Sequence, residues 1–319
     1  MSLLTLLALL SGLLAVQDSP KVSIEPRAKP TPAAPPAAKS NIRVDTTVVL
    51  IPVTVTDLIN RVVTGLDKKD FRIFEDSVEQ EILHFAVEDA PVSIGLIFDT
   101  SGSMGSKLDK SRRAVAQFFK AANPEDEFFL VEFNDRPALV SGFTTSLEEI
   151  QNKLTFTQPK GRTALLDAIY MGLDFVKKGK NARKSLLIIS DGGDNSSRYT
   201  ESEIKNRVRE ADTQIYAIGI LEPIGRRSRT PEELAGPELL QQISDQTGGR
   251  AFAVENIADL PDVAAKIGDE LRHQYVLGYT PTNRERNGKY RRVQVKLAQP
   301  RRMPQLKAAW RQGYYAPSQ

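Results

Sequence analysis

The hydrophobic positions fall into three textures along the chain. From residue 41 they alternate: Val44, Thr46, Val48, Leu50 and Pro52 face one way and Val49, Ile51, Val53 and Val55 the other. That period of two marks a long β run. Gly65-Leu66-Asp67 leads on to Phe71-Arg72-Ile73-Phe74-Glu75-Asp76, and residues 79–85 read as another strand. From residue 91 to 272 short apolar runs alternate with helical spacing. The runs at 93–99, 127–134, 184–190, 214–220 and 250–254 read as buried strands, with 137–144 as a short antiparallel partner. Leu108, Val115, Phe118, Phe119 and Ala122 define one buried helical face, and Leu165, Leu166, Ile169, Leu173 and Val176 another. Ser146 to Glu149 and Thr200 to Glu203 each read as a capping box that opens a helix. A helix over 237–247 stops at Gly248-Gly249, and Ile257, Leu260, Ala264, Ile267 and Leu271 mark the last one. β texture then returns over 274–280, 290–297 and 307–315, and Asn287-Gly288 predicts a hairpin between the first two of these.

The alternation over 91–272 predicts an α/β domain, a doubly wound, mainly parallel sheet covered on both faces through right-handed crossovers. Three C-terminal strands are marginal alone, and the stretch over 41–90 is equally incomplete. One β-sandwich-like module assembled from both flanks, 41–90 and 273–319, solves both problems. At 319 residues the chain is long enough for such a pair.

The N-terminus carries different information. Residues 3–16 form an apolar run of 14 residues, short for a membrane span of about 20 residues and suited to a signal-peptide core over 1–16. An uncleaved anchor would equally place the rest of the chain outside the cytoplasm, in the periplasm, at the cell surface or secreted. Six prolines between Pro20 and Pro36 make 17–40 a stiff, extended linker.

Composition excludes several chemistries. No cysteine is present, so disulfides, thiolate metal sites and a Cys nucleophile are absent. The two histidines, His84 and His273, are far apart, and neither lies near a nucleophile-like turn. The 43 basic and 40 acidic residues leave a net charge of +3, with no global nucleic-acid signature. The basic excess is local. From Arg272 to the C-terminus eleven Lys and Arg residues oppose only Glu285. These could face anionic envelope polymers or phospholipid headgroups, or simply be solvated outward strand faces.

Candidate chemistry begins at Asp99. The buried run ends there, and Thr100-Ser101-Gly102-Ser103 leads into the first helix. Asp99, Ser101 and Ser103 therefore sit on a strand-to-helix turn where three oxygen side chains can converge, ligands that hard cations such as Mg²⁺ favour. A second buried strand ends at Ser190-Asp191-Gly192-Gly193. In a parallel sheet both aspartates emerge at the carboxyl edge, where such folds bind ligands.

With Gly161-Arg162-Thr163 between them, these segments closely resemble the von Willebrand factor A domain and its metal-ion-dependent adhesion site. That family's pattern is Asp-x-Ser-x-Ser, a distant Thr and a distant Asp-Gly after a strand. The resemblance spans about 91–272 and implies Asp99, Ser101, Ser103, Thr163 and Asp191 as ligands of one Mg²⁺ or Mn²⁺. It also implies a protein partner whose Asp or Glu carboxylate completes the metal shell. The flanks, around Val53-Thr54-Val55-Thr56-Asp57 and Tyr275-Val276-Leu277-Gly278-Tyr279, resemble bacterial secreted VWFA-related proteins of the acidobacterial type. Arg226, Arg227 and Arg229 follow the strand over 214–220 and are expected on the rim of the same edge, where they would favour an acidic partner. A metal-dependent hydrolase is the alternative, with Asp194 as the available acid, but Asp194-Asn195 reads more readily as turn chemistry. A purely structural envelope protein is a third class. The expectation is an exported binding module, not an enzyme, with no nucleic-acid partner.

Overall fold

The computed structural model describes residues 48–221, 231–298 and 305–318, all within one compact unit, Thr46–Gln319. The expected signal segment (1–16), linker (17–40) and rim arginines (226, 227 and 229) lie outside the described residues.

The first flank supplies β1 (Val49–Thr56), β2 (Phe71–Glu75), β3 (Val78–Gln80) and β4 (His84–Glu88). The core follows with β5 (Val92–Asp99), α1 (Leu108–Lys120), β6 (Glu127–Phe133), β7 (Pro137–Thr144), α2 (Leu147–Thr155) and α3 (Leu165–Phe175). It continues through β8 (Arg183–Ser190), α4 (Glu201–Glu210), β9 (Gln214–Ile220), α5 (Pro231–Thr247), β10 (Ala251–Val254) and α6 (Leu260–Arg272). The second flank adds β11 (Gln274–Tyr279), β12 (Tyr290–Leu297), β13 (Lys307–Trp310) and β14 (Gly313–Tyr315).

The core sheet has the order β10-β9-β8-β5-β6-β7. Every pairing is parallel except β6 with β7. Because both faces are covered, the central strands are mostly apolar, and all of β5 and all of β9 are buried. Two apolar cores result, one per face. Leu96, Phe98, Phe118 and Leu271 belong to the first, and Ile97, Phe129, Ile169 and Ile243 to the second. This is the doubly wound fold that the periodicity predicts.

The flanks form two antiparallel sheets, β13-β1-β11-β4 and β14-β12-β2-β3. Each sheet mixes strands from both chain ends, and Ile51, Val53, Phe71, Ile73, Tyr275 and Leu277 share a third core. Glu75 sits inside it at 3% exposure. Its carboxylate accepts hydrogen bonds from Tyr279 Oη (2.8 Å), Tyr314 Oη (2.7 Å) and Arg291 Nη1 (3.1 Å). Burial, then the bond to Glu75, pushes the Tyr314 hydroxyl up to about 12.

Four local expectations are corrected. Asn287-Gly288 does not form a hairpin between β11 and β12, because those strands lie in different sheets. Gly288, at φ +64°, turns the chain into β12, and Asn287 bridges to Ser318 instead. The stretch over 307–315 divides into β13 and β14, again in separate sheets. Helix α5 begins at Pro231 rather than 237 and runs through Pro237; the sequence there, Pro231-Glu232-Glu233, is itself a helix-start signal of Pro plus early acids. Thr200 makes the full capping box with Glu203, whereas Ser146 caps Glu149 one way only, since the Glu149 carboxylate accepts from Ser141 Oγ at 2.7 Å.

The C-terminal basic surface is thinner than its sequence count. Arg291 is buried against Glu75, Arg272 pairs with Asp89 and Asp126, and Arg311 pairs with Asp212. Arg301 and Arg302 lie outside the described residues. Arg292 and Lys296 point outward on either side of the buried Val293 and Val295, the alternation of a solvated strand face.

Candidate metal-binding site

Strand β5 delivers Asp99 to the carboxyl edge of the sheet fully buried. Its Oδ1 accepts the Ser101 backbone N–H at 2.8 Å, which folds the chain back sharply after the strand. Its Oδ2 accepts from Ser190 Oγ at 2.6 Å. Ser190 is the last residue of β8, the parallel neighbour of β5, and its Oγ also accepts the Gly192 N–H at 3.0 Å. The two strand ends and the turn that bears Asp191 are thus locked together through one hydroxyl. Sequence reasoning did not single out Ser190; the available signal was a polar residue closing an otherwise apolar strand.

Ser101 is buried and Ser103 exposed, with their hydroxyl oxygens 3.0 Å apart. The third loop is stitched to the first by the Gly102 N–H on Gly161 O (3.0 Å) and the Lys160 N–H on Thr100 O (2.9 Å). Gly161 has φ +76°, and a Cβ there would lie 2.4 Å from the Asp135 carboxylate, so this turn requires glycine. The same loop is bound to the second. Asn195 Oδ1 accepts the Thr163 N–H at 2.9 Å, and Thr163 O accepts the N–H groups of Asn195 and Ser196. Thr163 is 4% exposed. The structure therefore brings Asp99, Ser101, Ser103, Thr163 and Asp191 from three loops to one edge. The rim arginines cannot be placed beside them, being outside the described residues.

Helix α5 packs directly on the turn after Asp191. A Cβ on Gly236 would come 1.7 Å from Gly192 O, so the close approach depends on Gly236.

Charge is concentrated here. Burial, and then the neighbouring Asp191 carboxylate, push the Asp99 carboxyl up to about 7 against the opposing hydrogen bonds from Ser101 and Ser190. Asp191, 8% exposed, receives an ion pair from Lys107 Nζ at 3.0 Å. Lys107 is 6% exposed and immediately precedes α1. As a single basic residue ahead of a helix, it carries no signal in the sequence.

An oxygen-only donor set of two carboxylates and three hydroxyls suits a hard divalent cation. The mutual repulsion of two buried carboxylates is the kind of charge such an ion relieves, so the residues present fit the group. Among the described residues, no cluster of three or more His, Cys, Asp or Glu side chains offers a competing metal site.

The residues that a hydrolytic reading would need are engaged elsewhere. Asp194 Oδ1 accepts the Leu166 N–H at the start of α3 and a hydrogen bond from Ser197 Oγ. His273 caps the far end of α6, with Nδ1 2.9 Å from Asp269 O, and His84 lies on β4 of the sandwich.

Residues 94–193 match the family model of the von Willebrand factor type A domain. Mouse inter alpha-trypsin inhibitor heavy chain 4 is 26% identical over 151 residues, which are 42% of this chain and 16% of that protein. An uncharacterized protein of Borreliella burgdorferi is 24% identical over 199 residues, 56% of this chain and 57% of that one. This chain therefore spans only about a sixth of the mouse relative's length and little more than half of the bacterial one's. Among solved structures, the von Willebrand factor type A protein from Catenulispora acidiphila superposes with a TM-score of 0.50 at 12% identity. That superposition covers 86% of this chain and 75% of the other, more of this chain than residues 91–272 alone can supply. The fold of the core is the von Willebrand factor A fold.

Proposed function

We propose that this protein is an exported, divalent-metal-dependent binding module. Asp99, Ser101, Ser103, Thr163 and Asp191 hold one Mg²⁺ or Mn²⁺, and an Asp or Glu carboxylate from a protein partner completes its shell. The observation that carries this reading is the gathering of two buried carboxylates and three hydroxyls at one sheet edge, with the Asp99 carboxyl raised by burial and then by Asp191. When bound, the ion supplies a positive centre that accepts an additional carboxylate oxygen. The chain supplies the rest. Ser190 fixes the Asp99 carboxylate, the Asn195 side chain fixes the Thr163 loop, and Gly192 with Gly236 fixes the turn that bears Asp191.

The topology separates the proposed site from the sandwich. Both crossings between core and sandwich, from β4 into β5 and from α6 into β11, lie at the amino edge of the core sheet. There Arg183, at the start of β8, donates to Ala90 O, Leu271 O and Gln274 Oε1. Asp99 and Asp191 lie at the opposite edge. Strand β1 begins opposite Tyr279, the end of β11 remote from the core. A partner can therefore reach the site without meeting the sandwich, and residues 3–16 supply the reason to place the module outside the cytoplasm.

Titration calorimetry with Mn²⁺ on the wild type and Asp99→Ala tests the assignment. Binding should disappear in the variant, whose circular dichroism should stay native. Equal affinity in the two proteins would remove the site. Crosslinking of the secreted protein in Mg²⁺ and in chelator, followed by identification of what is captured, then tests the partner.

A further inference from the structure

Lys107 is the one feature of the site that the binding reading does not use. A lysine at 6% exposure is uncommon without a specific partner. Its partner here is Asp191 Oδ2 at 3.0 Å. The ammonium cannot drift away to solvent, because both sides of the contact are enclosed: the side chains of Lys107 and Asp191 are each 8% exposed. The backbone around it is also fixed. The Lys107 N–H donates to Met104 O at 2.9 Å, and Lys107 O accepts the Ser111 N–H and the Ser111 hydroxyl at the opening of α1. The positive charge is therefore built into the site by the turn that also carries Ser101 and Ser103.

We infer that Lys107 is an affinity- and specificity-setting residue: a tethered cation that shares Asp191 with the divalent ion, weakens its hold, and keeps the loaded centre positive. This inference rests on the proposed metal site. Asp99 and Asp191 together bring two negative charges, and Lys107 cancels one of them. A divalent ion is then left under-neutralised by its own protein ligands. The excess charge is available to a carboxylate from outside, whereas two unopposed aspartates would have matched the ion's charge. Like charges close to a shared carboxylate in a shielded site interact strongly, since the effective dielectric constant is about 20 rather than 80. The positioning alternative is that Lys107 simply holds the Asp191 rotamer, in which case its removal can only leave metal binding equal or weaker. The two roles therefore differ in sign.

The experiment is calorimetric titration of Mn²⁺ into the full chain of wild type, Lys107→Met and Lys107→Gln at one pH and ionic strength, with thermal unfolding followed alongside in chelator. Met keeps the apolar stem of the side chain, and Gln keeps a donor toward Asp191 without the charge, so a packing failure in one does not silence the other. The expected result is Mn²⁺ affinity raised at least about tenfold in both neutral variants, because the ion no longer competes with a fixed ammonium for Asp191. Unfolding in chelator should move to lower temperature, and saturating Mn²⁺ should restore more of it than in the wild type. Affinity unchanged or lower in the neutral variants would overturn the inference while leaving the metal site standing. Mn²⁺ binding in none of the three proteins would overturn the metal site, and this inference with it.

Discussion

Glu270 offers a measurement whose sign and size follow from the structure. It lies on α6 at 1% exposure, at the junction of core and sandwich. Oε1 accepts from Arg250 Nη1 at 2.5 Å, and Arg250 Nη2 continues to Asn60 Oδ1 at 2.7 Å on the sandwich side. Oε2 has no hydrogen-bond partner. Burial outweighs the attraction of Arg250 and pushes the carboxyl from 4.5 up to about 7. A raised folded-state value means that the folded chain binds this proton more tightly than the unfolded chain does. Its contribution to stability is fully present below pH 4.5 and lost as pH rises to about 7. At about 1.4 kcal/mol per unit, the loss across that window is on the order of 3 kcal/mol. Glu270→Gln removes the titration and keeps the shape. Asp99 also titrates toward pH 7, but it is common to both proteins and cancels in the difference. Urea unfolding of wild type and variant at half-unit steps from pH 4 to 8 should give a stability difference that moves steadily in favour of Gln as pH rises. The difference should then level above about pH 7. A flat difference would mean that the carboxylate is ionised at no penalty. A difference moving in favour of the wild type with rising pH would mean that the Arg250 pair dominates, and either result refutes the reasoning.

Two further outcomes are expected. Glu75→Ala takes the carboxylate partner from the buried Arg291, which keeps only backbone carbonyls, and the acceptor from the hydroxyls of Tyr279 and Tyr314, and should lower unfolding stability by about 3–5 kcal/mol in a denaturant titration; Mn²⁺ affinity should not change, because the network is confined to the sandwich. Gly236→Ala forces a Cβ to within 1.7 Å of Gly192 O, so it should cost about 1–3 kcal/mol of stability and weaken Mn²⁺ binding in calorimetry by shifting the Asp191 turn; Ala235→Ser, on an exposed position of the same helix, should do neither.

The parts of this molecule that the sequence made legible are those governed by local rules. An eight-residue run with no polar interruption except Ser93 can only be a strand covered on both faces, and that places Asp99 at its carboxyl end. The same logic places Asp191 immediately after β8. Pairing across long sequence separations was not legible. Asn287-Gly288 carries the right residues for a tight hairpin, yet β11 is already flanked by β1 and β4 and has no free edge for β12. The competition is settled by strands more than two hundred residues away, as in the register of Val53 with Tyr275. The breaks within 78–88 and 307–315 have the same origin: each stretch must leave one sheet and enter the other, so a continuous β texture becomes two strands.

Ser190 and Lys107 show a second limit, one of chemistry rather than topology. Each is a common residue whose significance arises only from what stands opposite it. Ser190 Oγ bridges Asp99 and the Gly192 N–H because β5 and β8 end in register, Phe98 beside Ile189. Lys107 meets Asp191 across 84 residues because the turn after β5 swings its chain over the end of β8. Both contacts fall on the two carboxylates, one on each, and they differ in kind. The Ser190 hydroxyl stabilises Asp99 as an anion through a hydrogen bond, which leaves its charge in place for a cation. The Lys107 ammonium neutralises Asp191 outright. The two aspartates that a ligand pattern treats as equivalent are therefore unequal in this chain: Asp99 is held by hydrogen bonds alone, whereas Asp191 is already paired with an ammonium. An ion held mainly by Asp99 would be lost more completely on removing that carboxylate than on removing Asp191, so Asp191→Asn should retain measurable Mn²⁺ affinity under conditions where Asp99→Asn retains none.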